Sequence, residues 1–100
     1  ELSAVTKVFG DHAYELQINA TKSMTGDLLG AAGIVEAIAA LGTITHGIIP
    51  PTINHFTDDD KIDSKLNLTF NTPVERKVNV AMSNTFGFGG HNACVVFKKI

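Results

Sequence analysis

Residues 83–99 read SNTFGFGGHNACVVFKK and place a glycine-rich segment directly before a run of apolar residues. The apolar run ACVVF at 93–97 is typical of a strand that is covered on both faces. Upstream, Val78, Val80 and Met82 recur at every second position, which is the period expected of another strand. The pattern therefore predicts two strands joined by a tight glycine-rich connection at 83–92.

The connection contains Gly87, Gly89 and Gly90, with Phe86 and Phe88 among them. A dinucleotide-binding loop needs a helix after its glycines, and here a strand follows, so that function is excluded. Glycines permit positive φ angles and let backbone N–H groups approach whatever lies opposite. Two interpretations stay open: a backbone oxyanion hole beside an apolar channel, and an ordinary tight turn flanked by aromatic rings.

Residues 28–45, LLGAAGIVEAIAALGTIT, carry a single charge at Glu36. Such a segment predicts a helix that is buried over most of its circumference. Internal glycines, a minimal length and a central carboxylate argue against a membrane span. A helix that is apolar on all sides needs neighbours all round, and the rest of the chain supplies few. We therefore expect the chain to be part of something larger.

The remaining segments are shorter. Residues 1–9 have the spacing of an amphipathic helix, and residues 15–20 alternate like a strand that leads into a turn. Residues 57–65 are acidic and predict an exposed loop. Lys22 lies at the strand end and Asp27 at the start of the apolar helix, where a carboxylate caps free N–H groups. Taken alone, Asp27 is a cap and Lys22 a surface charge.

The 100 residues allow one domain, and 44% hydrophobic with 18% charged residues excludes a disordered chain. A net charge of −2 excludes a nucleic-acid partner that binds through bulk positive charge. The histidines lack metal-ligand spacing, so we expect no metal site. The lone Cys94 lies inside the apolar run and predicts an inert core thiol. One cysteine and no leader sequence predict a cytoplasmic location.

Two segments, TKSMTGDLLGAAG (21–33) and SNTFGFGGHNACVVFKK (83–99), with IIPPTIN (48–54) between them, closely resemble the C-terminal end of the β-ketoacyl-[acyl-carrier-protein] synthases. The resemblance is greatest to the elongating type II enzymes and covers all 100 residues, about the last quarter of a family member. It implies an α/β protein with the layered αβαβα arrangement of the thiolase fold. Residues 1–100 would be the C-terminal portion of a ketoacyl-synthase domain, a fragment without the nucleophile-bearing half.

The resemblance also implies an activity. In this family a cysteine takes an acyl chain from its carrier protein, and malonyl carrier protein loses carbon dioxide to attack it, a decarboxylative Claisen condensation of fatty-acid biosynthesis. The implied partners are acyl and malonyl carrier proteins, the remainder of the synthase domain and a second copy in a homodimer, with no cofactor, nucleic acid or membrane. We expect the isolated chain to be inactive. The alternative is a non-catalytic partner subunit similar to a chain-length factor.

By the resemblance, Lys22 is the active-site lysine that supports the charge network around the decarboxylating histidine. Phe88 is the residue whose backbone N–H joins the oxyanion hole and whose ring gates the acyl channel. Phe86 matches a structural or malonyl-contacting phenylalanine. The loop glycines match a flexible gate and complete the implied substrate-binding set: Gly87, Gly89 and Gly90.

Three further positions, Glu36, Ser83 and Asn84, match residues that surround a monovalent cation or order the loop in some members. Asp27 departs from the family, which has a histidine there that donates to the malonyl thioester oxygen. This departure favours the chain-length-factor alternative, whereas Lys22 and the intact loop favour an enzyme. Cys94 does not match the position of the nucleophile.

Overall fold

The computed structural model describes all residues from Glu1 to Ile100. Two 3₁₀ turns, at Gly10–Glu15 and Leu29–Ala31, link helical segments. The helices and strands, in chain order, are α1 (Leu2–Phe9), α2 (Lys22–Thr25), α3 (Ala32–His46), β1 (Ile48–Ile49), β2 (Val74–Glu75), β3 (Val80–Gly87) and β4 (His91–Lys98).

Strands β3 and β4 form the antiparallel hairpin that the sequence predicts, with Val80 opposite Lys98 and Gly87 opposite His91. The connection is shorter than predicted, because residues 83–87 pair with 91–95 and belong to the strand. Their polar side chains resemble a turn in sequence, but the ladder is made by main-chain groups. Only three residues, 88–90, form the turn, and its two glycines have φ angles of 84° and 86°.

Helix α3 packs against one face of the hairpin, and α1 borders a groove at the other face, with the strand side chains alternating between the two faces. Ser83 and Thr85 line a groove shared with α3, whereas Met82 and Phe86 line a groove shared with α1. Each face of the hairpin is therefore only partly covered. The packing of α3 on the hairpin is a helix layer on a sheet layer, as in an α/β fold.

Helix α3 confirms the predicted helix, and residues 1–100 leave much of it uncovered, as expected for part of something larger. Ala32 and Thr43 are its buried residues, while Ile34 and Ile38 are 69% and 63% exposed. The reason is that the hairpin covers one side of the helix, and the expected shortage of neighbours leaves the other side open. The window Leu29–His46, with mean hydropathy 1.4, is long and apolar enough to span a membrane, a test that core helices of globular proteins also pass.

The predicted strand at 15–20 is not formed. This segment makes one parallel bridge, Gln17 opposite Asn67, and the Ile18 N–H donates to the Asn67 carbonyl at 2.8 Å. Its partner then turns at Thr69, where φ is +52°, so that the pairing cannot continue. The two segments are held together instead by side chains, since the Thr69 hydroxyl donates to the Ile18 carbonyl at 3.0 Å.

The apolar run is confirmed as strand β4 with an exposed surface, whereas the prediction that Cys94 is a core thiol is wrong within residues 1–100. Val95 and Val96 are 49% and 58% exposed, and Cys94 is exposed rather than a core thiol. The acidic segment at 57–65 is confirmed as an exposed loop. The buried apolar residues are few and scattered over the chain: Ala13, Ala32, Ile49 and Leu66.

Candidate active site around Lys22

An ion pair joins Lys22, the first residue of α2, to Glu36 in α3. The Lys22 Nζ donates to both carboxylate oxygens of Glu36, at 2.8 and 2.7 Å. The Glu36 side chain is 15% exposed and that of Lys22 is 40% exposed. The pair explains why an apolar helix carries a carboxylate, because a half-buried charge needs a partner of opposite sign.

The backbone of α2 is a single helical turn that ends at Gly26, whose φ is 71°. The Gly26 N–H donates to the Lys22 carbonyl at 2.9 Å and closes the turn. The change of direction at Gly26 is what brings a lysine ahead of the apolar segment back against α3. A residue with a Cβ would be strained in this conformation.

Three hydrogen bonds connect the α2 region to the proline-containing segment 50–53. The Asn19 amide donates to the Pro50 carbonyl at 2.7 Å, and the Ala20 N–H donates to Thr52 Oγ1 at 2.8 Å. The Ile53 N–H donates to Ser23 Oγ at 3.0 Å. The proline-containing segment, which lies between the two resembling segments in the chain, is therefore in direct contact with the backbone around Lys22.

Asp27 lies between α2 and the 3₁₀ turn that precedes α3. Its Oδ1 accepts a hydrogen bond from the Leu29 N–H at 2.9 Å, and its side chain is exposed. The predicted capping of the apolar helix is wrong, because neither the 3₁₀ turn nor α3 has a side-chain cap and the Asp27 carboxylate instead closes a local turn with Leu29. Leu29 has a φ of +52°, a conformation that side-chain-bearing residues rarely adopt.

The end of the hairpin presents two exposed aromatic rings, Phe86 at the end of β3 with 57% exposure and Phe88 in the turn with 88% exposure. Gly87 faces His91 closely, because a Cβ there would lie 3.4 Å from the His91 carbonyl oxygen. No hydrogen bond joins the turn to Lys22 or Asp27 in residues 1–100. The structure thus brings Lys22 and Glu36 together and leaves the turn as a separate element.

An open groove of about 470 Å³ runs between the start of α3 and the hairpin. Ser83 lines this groove, whereas Asn84 lines the one on the opposite face of the sheet. The side chains of the predicted cation trio therefore do not converge, and both Glu36 oxygens already accept from Lys22. A cation at this place stays a prediction that would need main-chain oxygens. No cluster of three or more acidic, histidine or cysteine side chains suited to a metal occurs in residues 1–100.

A hydrogen bond between Tyr14 and Asp63 is not predicted from the sequence. The Tyr14 hydroxyl donates to Asp63 Oδ2 at 2.6 Å. This hydrogen bond raises the pKa of Tyr14 and lowers the pKa of Asp63, which also accepts from the Lys65 N–H. The bond ties the first 3₁₀ turn to the acidic loop, and a separation of 49 residues leaves no local signal for it.

Comparison with known proteins supports the class that this fold and site define. A sequence profile described as the β-ketoacyl synthase C-terminal domain matches residues 1–56. The chain belongs to the β-ketoacyl synthase family, as the sequence predicts. Its fold is accordingly part of the thiolase-like fold of ketosynthases.

Several individual proteins are similar to this chain along nearly all of its length. Nodulation protein E of Rhizobium meliloti is 47% identical over 100 residues, and 3-oxoacyl-[acyl-carrier-protein] synthase 2 of Coxiella burnetii (strain RSA 493 / Nine Mile phase I) is 44% identical over 100 residues. Each match covers 100% of this chain and 24% of the relative. A solved type II PKS acyl-carrier protein in complex with its ketosynthase matches with a TM-score of 0.91 and 30% identity, covering 99% of this chain and 24% of that chain. The chain spans about a quarter of the length of these proteins.

Proposed function

We propose that residues 1–100 are the C-terminal portion of a 3-oxoacyl-[acyl-carrier-protein] synthase domain. The whole protein is then an acyltransferase that joins an acyl chain to malonyl carrier protein by decarboxylative Claisen condensation in fatty-acid biosynthesis. The observation that carries the proposal is the bidentate Lys22–Glu36 pair, which fixes a lysine of the resembling segment in one place. A relative named as such a synthase is 44% identical along the whole chain.

The chemistry needs charge to be stabilised where it develops, and this chain supplies two means. A fixed ammonium at Lys22 holds positive potential beside the group that promotes loss of carbon dioxide. The backbone N–H of Phe88 completes an oxyanion hole with the nucleophile. Glycines on both sides of Phe88 let its ring move and admit the acyl chain. Phe86 contributes an apolar wall for the malonyl group.

Asp27 makes this a slow condensing enzyme. A carboxylate cannot donate to the malonyl thioester oxygen, and it repels the malonyl carboxylate that docks nearby. Acyl transfer to the nucleophile needs neither interaction. The proposal therefore separates two half-reactions: acyl loading proceeds at an ordinary rate and condensation does not.

The partners follow from the same proposal. The remainder of the synthase domain supplies the cysteine and the second histidine, and it covers the open side of α3, where Ile34 and Ile38 are exposed. Acyl and malonyl carrier proteins deliver the substrates, and a complex between a ketosynthase and its acyl-carrier protein among the structural neighbours supports this. We further propose a homodimer in the cytoplasm, without a cofactor, and a monovalent cation near Glu36.

The test uses the full-length protein that contains these residues. It is incubated with acyl carrier protein loaded with a fatty acyl chain and with malonyl carrier protein, and 3-oxoacyl product is measured by mass spectrometry. We expect product from the Asp27→His variant, none from Asp27→His with Lys22→Ala, and an unchanged rate with the matched control Lys61→Ala in the exposed loop. If neither the parent protein nor Asp27→His forms 3-oxoacyl product, the proposed function is refuted.

A further inference from the structure

Helix α2 cannot hold Lys22 in place by itself. It consists of four residues, and a single helical turn fixes few dihedral angles for each hydrogen bond that it gains. The ammonium of Lys22 is held by Glu36 at the far end of a flexible four-carbon stem. The direction in which that stem leaves the backbone must therefore be set by contacts outside α2.

One such contact is made by the Ser23 hydroxyl, which both donates and accepts a hydrogen bond. Ser23 Oγ accepts from the Ile53 N–H at 3.0 Å and donates to the Ala20 carbonyl at 2.9 Å. It thus links the residue next to Lys22 both to its own turn and to the proline-containing segment. Removal of this oxygen leaves the half-buried Ile53 N–H without its acceptor.

The second contact is made by Thr52, whose Oγ1 accepts from the Ala20 N–H at 2.8 Å. Thr52 is itself held firmly, since its N–H donates to the Thr69 carbonyl at 2.9 Å and its carbonyl accepts from the Asn71 N–H at 2.8 Å. Thr69 is buried, with 7% of its surface exposed. The hydroxyl of Thr52 therefore connects the start of α2 to a rigid support.

We infer that Ser23 and Thr52 are positioning residues that hold α2 so that the Lys22 ammonium reaches Glu36. The two hydroxyls fix the backbone before and after Lys22, at Ala20 and Ser23, and Glu36 fixes the charge at the end of the Lys22 side chain. If one of the two hydroxyls is removed, α2 can rotate and the bidentate contact between Lys22 and Glu36 weakens. The placement of Lys22 follows from the structure alone, and its consequence for condensation rests on the proposed function.

The test compares three variants of the full-length protein. Thr52→Val keeps the shape of the side chain and removes the acceptor, Thr52→Ser keeps the acceptor, and Ser23→Ala removes the other hydroxyl. Each protein is treated with a trace of acetic anhydride, and acetylation of Lys22 is measured by mass spectrometry against Lys61 as an internal reference. The Lys22 rate should rise about fivefold in Thr52→Val and Ser23→Ala, the change expected when one hydrogen bond of ordinary net strength is lost.

The matched variant and a second readout make the result decisive. Thr52→Ser should acetylate at the parent rate, and Lys61 should not change in any variant. In the condensation assay, kcat should fall about tenfold in Thr52→Val with little change in KM, and Thr52→Ser should keep the parent kcat.

Unchanged acetylation of Lys22 in both Thr52→Val and Ser23→Ala overturns the inference, whatever the condensation rate. An equal rise at Lys61 also overturns it, because the whole fold would then have loosened. A full-length protein that fails to condense but shows the selective change at Lys22 refutes the proposed function and supports the positioning role.

Discussion

Glu36→Gln tests how much the Lys22–Glu36 pair contributes to condensation. Glutamine has the shape of glutamate, so the change removes the charge and replaces one of the two acceptors by an amide that cannot bind an ammonium. In the parent chain the two contacts are 2.8 and 2.7 Å long. The perturbation is therefore confined to the electrostatics of one contact.

The magnitude follows from these distances and from the exposure of the two side chains. Opposite unit charges 2.7 Å apart attract by about 6 kcal/mol at an effective dielectric of ~20. Solvent screens this strongly, because the Lys22 side chain is 40% exposed. A hydrogen bond to a charged group contributes about 1.5–3 kcal/mol net, which we take as the loss. At ~1.4 kcal/mol per decade, the condensation rate should fall about 10- to 100-fold.

The assay measures 3-oxoacyl product from the full-length protein, both in the parent sequence and with Asp27→His, where the higher rate makes the fall easier to measure. Transfer of the acyl chain to the protein is measured separately and should not change. Glu75→Gln is the matched control, because Glu75 is exposed and its side chain has no partner in residues 1–100. If Glu36→Gln condenses within about twofold of its parent in both backgrounds, the pair does not support the reaction.

Three other predictions concern separate parts of the chain. Asp27→Asn in the full-length protein should raise condensation about a thousandfold, because like charges ~4 Å apart repel by about 4 kcal/mol at a dielectric of ~20, and Asp27→His should raise it further by restoring the hydrogen-bond donor; equal rates for the parent and Asp27→His would point to another donor. Purified residues 1–100 should neither condense nor decarboxylate malonyl carrier protein, and should aggregate or bind the complementary half through the exposed side of α3; a monodisperse monomer in light scattering with a cooperative melt would contradict this. Tyr14→Phe should lower the melting temperature most between the ordinary carboxyl and tyrosine pKa ranges. Because the pKa of Asp63 is lowered in the folded chain, the stabilisation is lost as pH falls through the pKa of Asp63. Because the pKa of Tyr14 is raised, the stabilisation is also lost as pH rises through the pKa of Tyr14. A difference that is constant with pH, measured beside the control Ser64→Ala, would show that the bond carries no titrating contribution.

The elements with strong local patterns were predictable from the sequence. Both the amphipathic helix at the start and the apolar helix α3 follow from spacing, and the hairpin follows from two strands around clustered glycines. The extent of β3 was not, because Ser83, Asn84 and Thr85 are typical turn residues and only the pairing with β4 makes them a strand. The residues that cover α3 were not predictable either, since an apolar pattern says that a face is to be covered and not by which residues.

The site was predictable only in its parts. The resemblance indicated Lys22 and Glu36 separately, but their contact spans 14 residues and depends on the positive φ angles at Gly26 and Leu29. The bond between Ser23 and Ile53 spans 30 residues and leaves no trace in periodicity. Hydroxyl residues in turns are too common for sequence alone to single out the one that accepts a distant N–H.

The β3–β4 hairpin also has two open sides, since each strand is paired on one edge only in residues 1–100. Main-chain N–H and C=O groups along an unpaired edge accept any strand that arrives in an extended conformation, because they do not distinguish side chains. Such an edge could be completed by neighbouring strands of divergent sequence, while the charged contacts at Lys22 tolerate little change. For the same reason, two copies of an uncovered hairpin can pair edge to edge and extend into a larger sheet. The order in which the parts of such a protein assemble therefore matters as much as its stability.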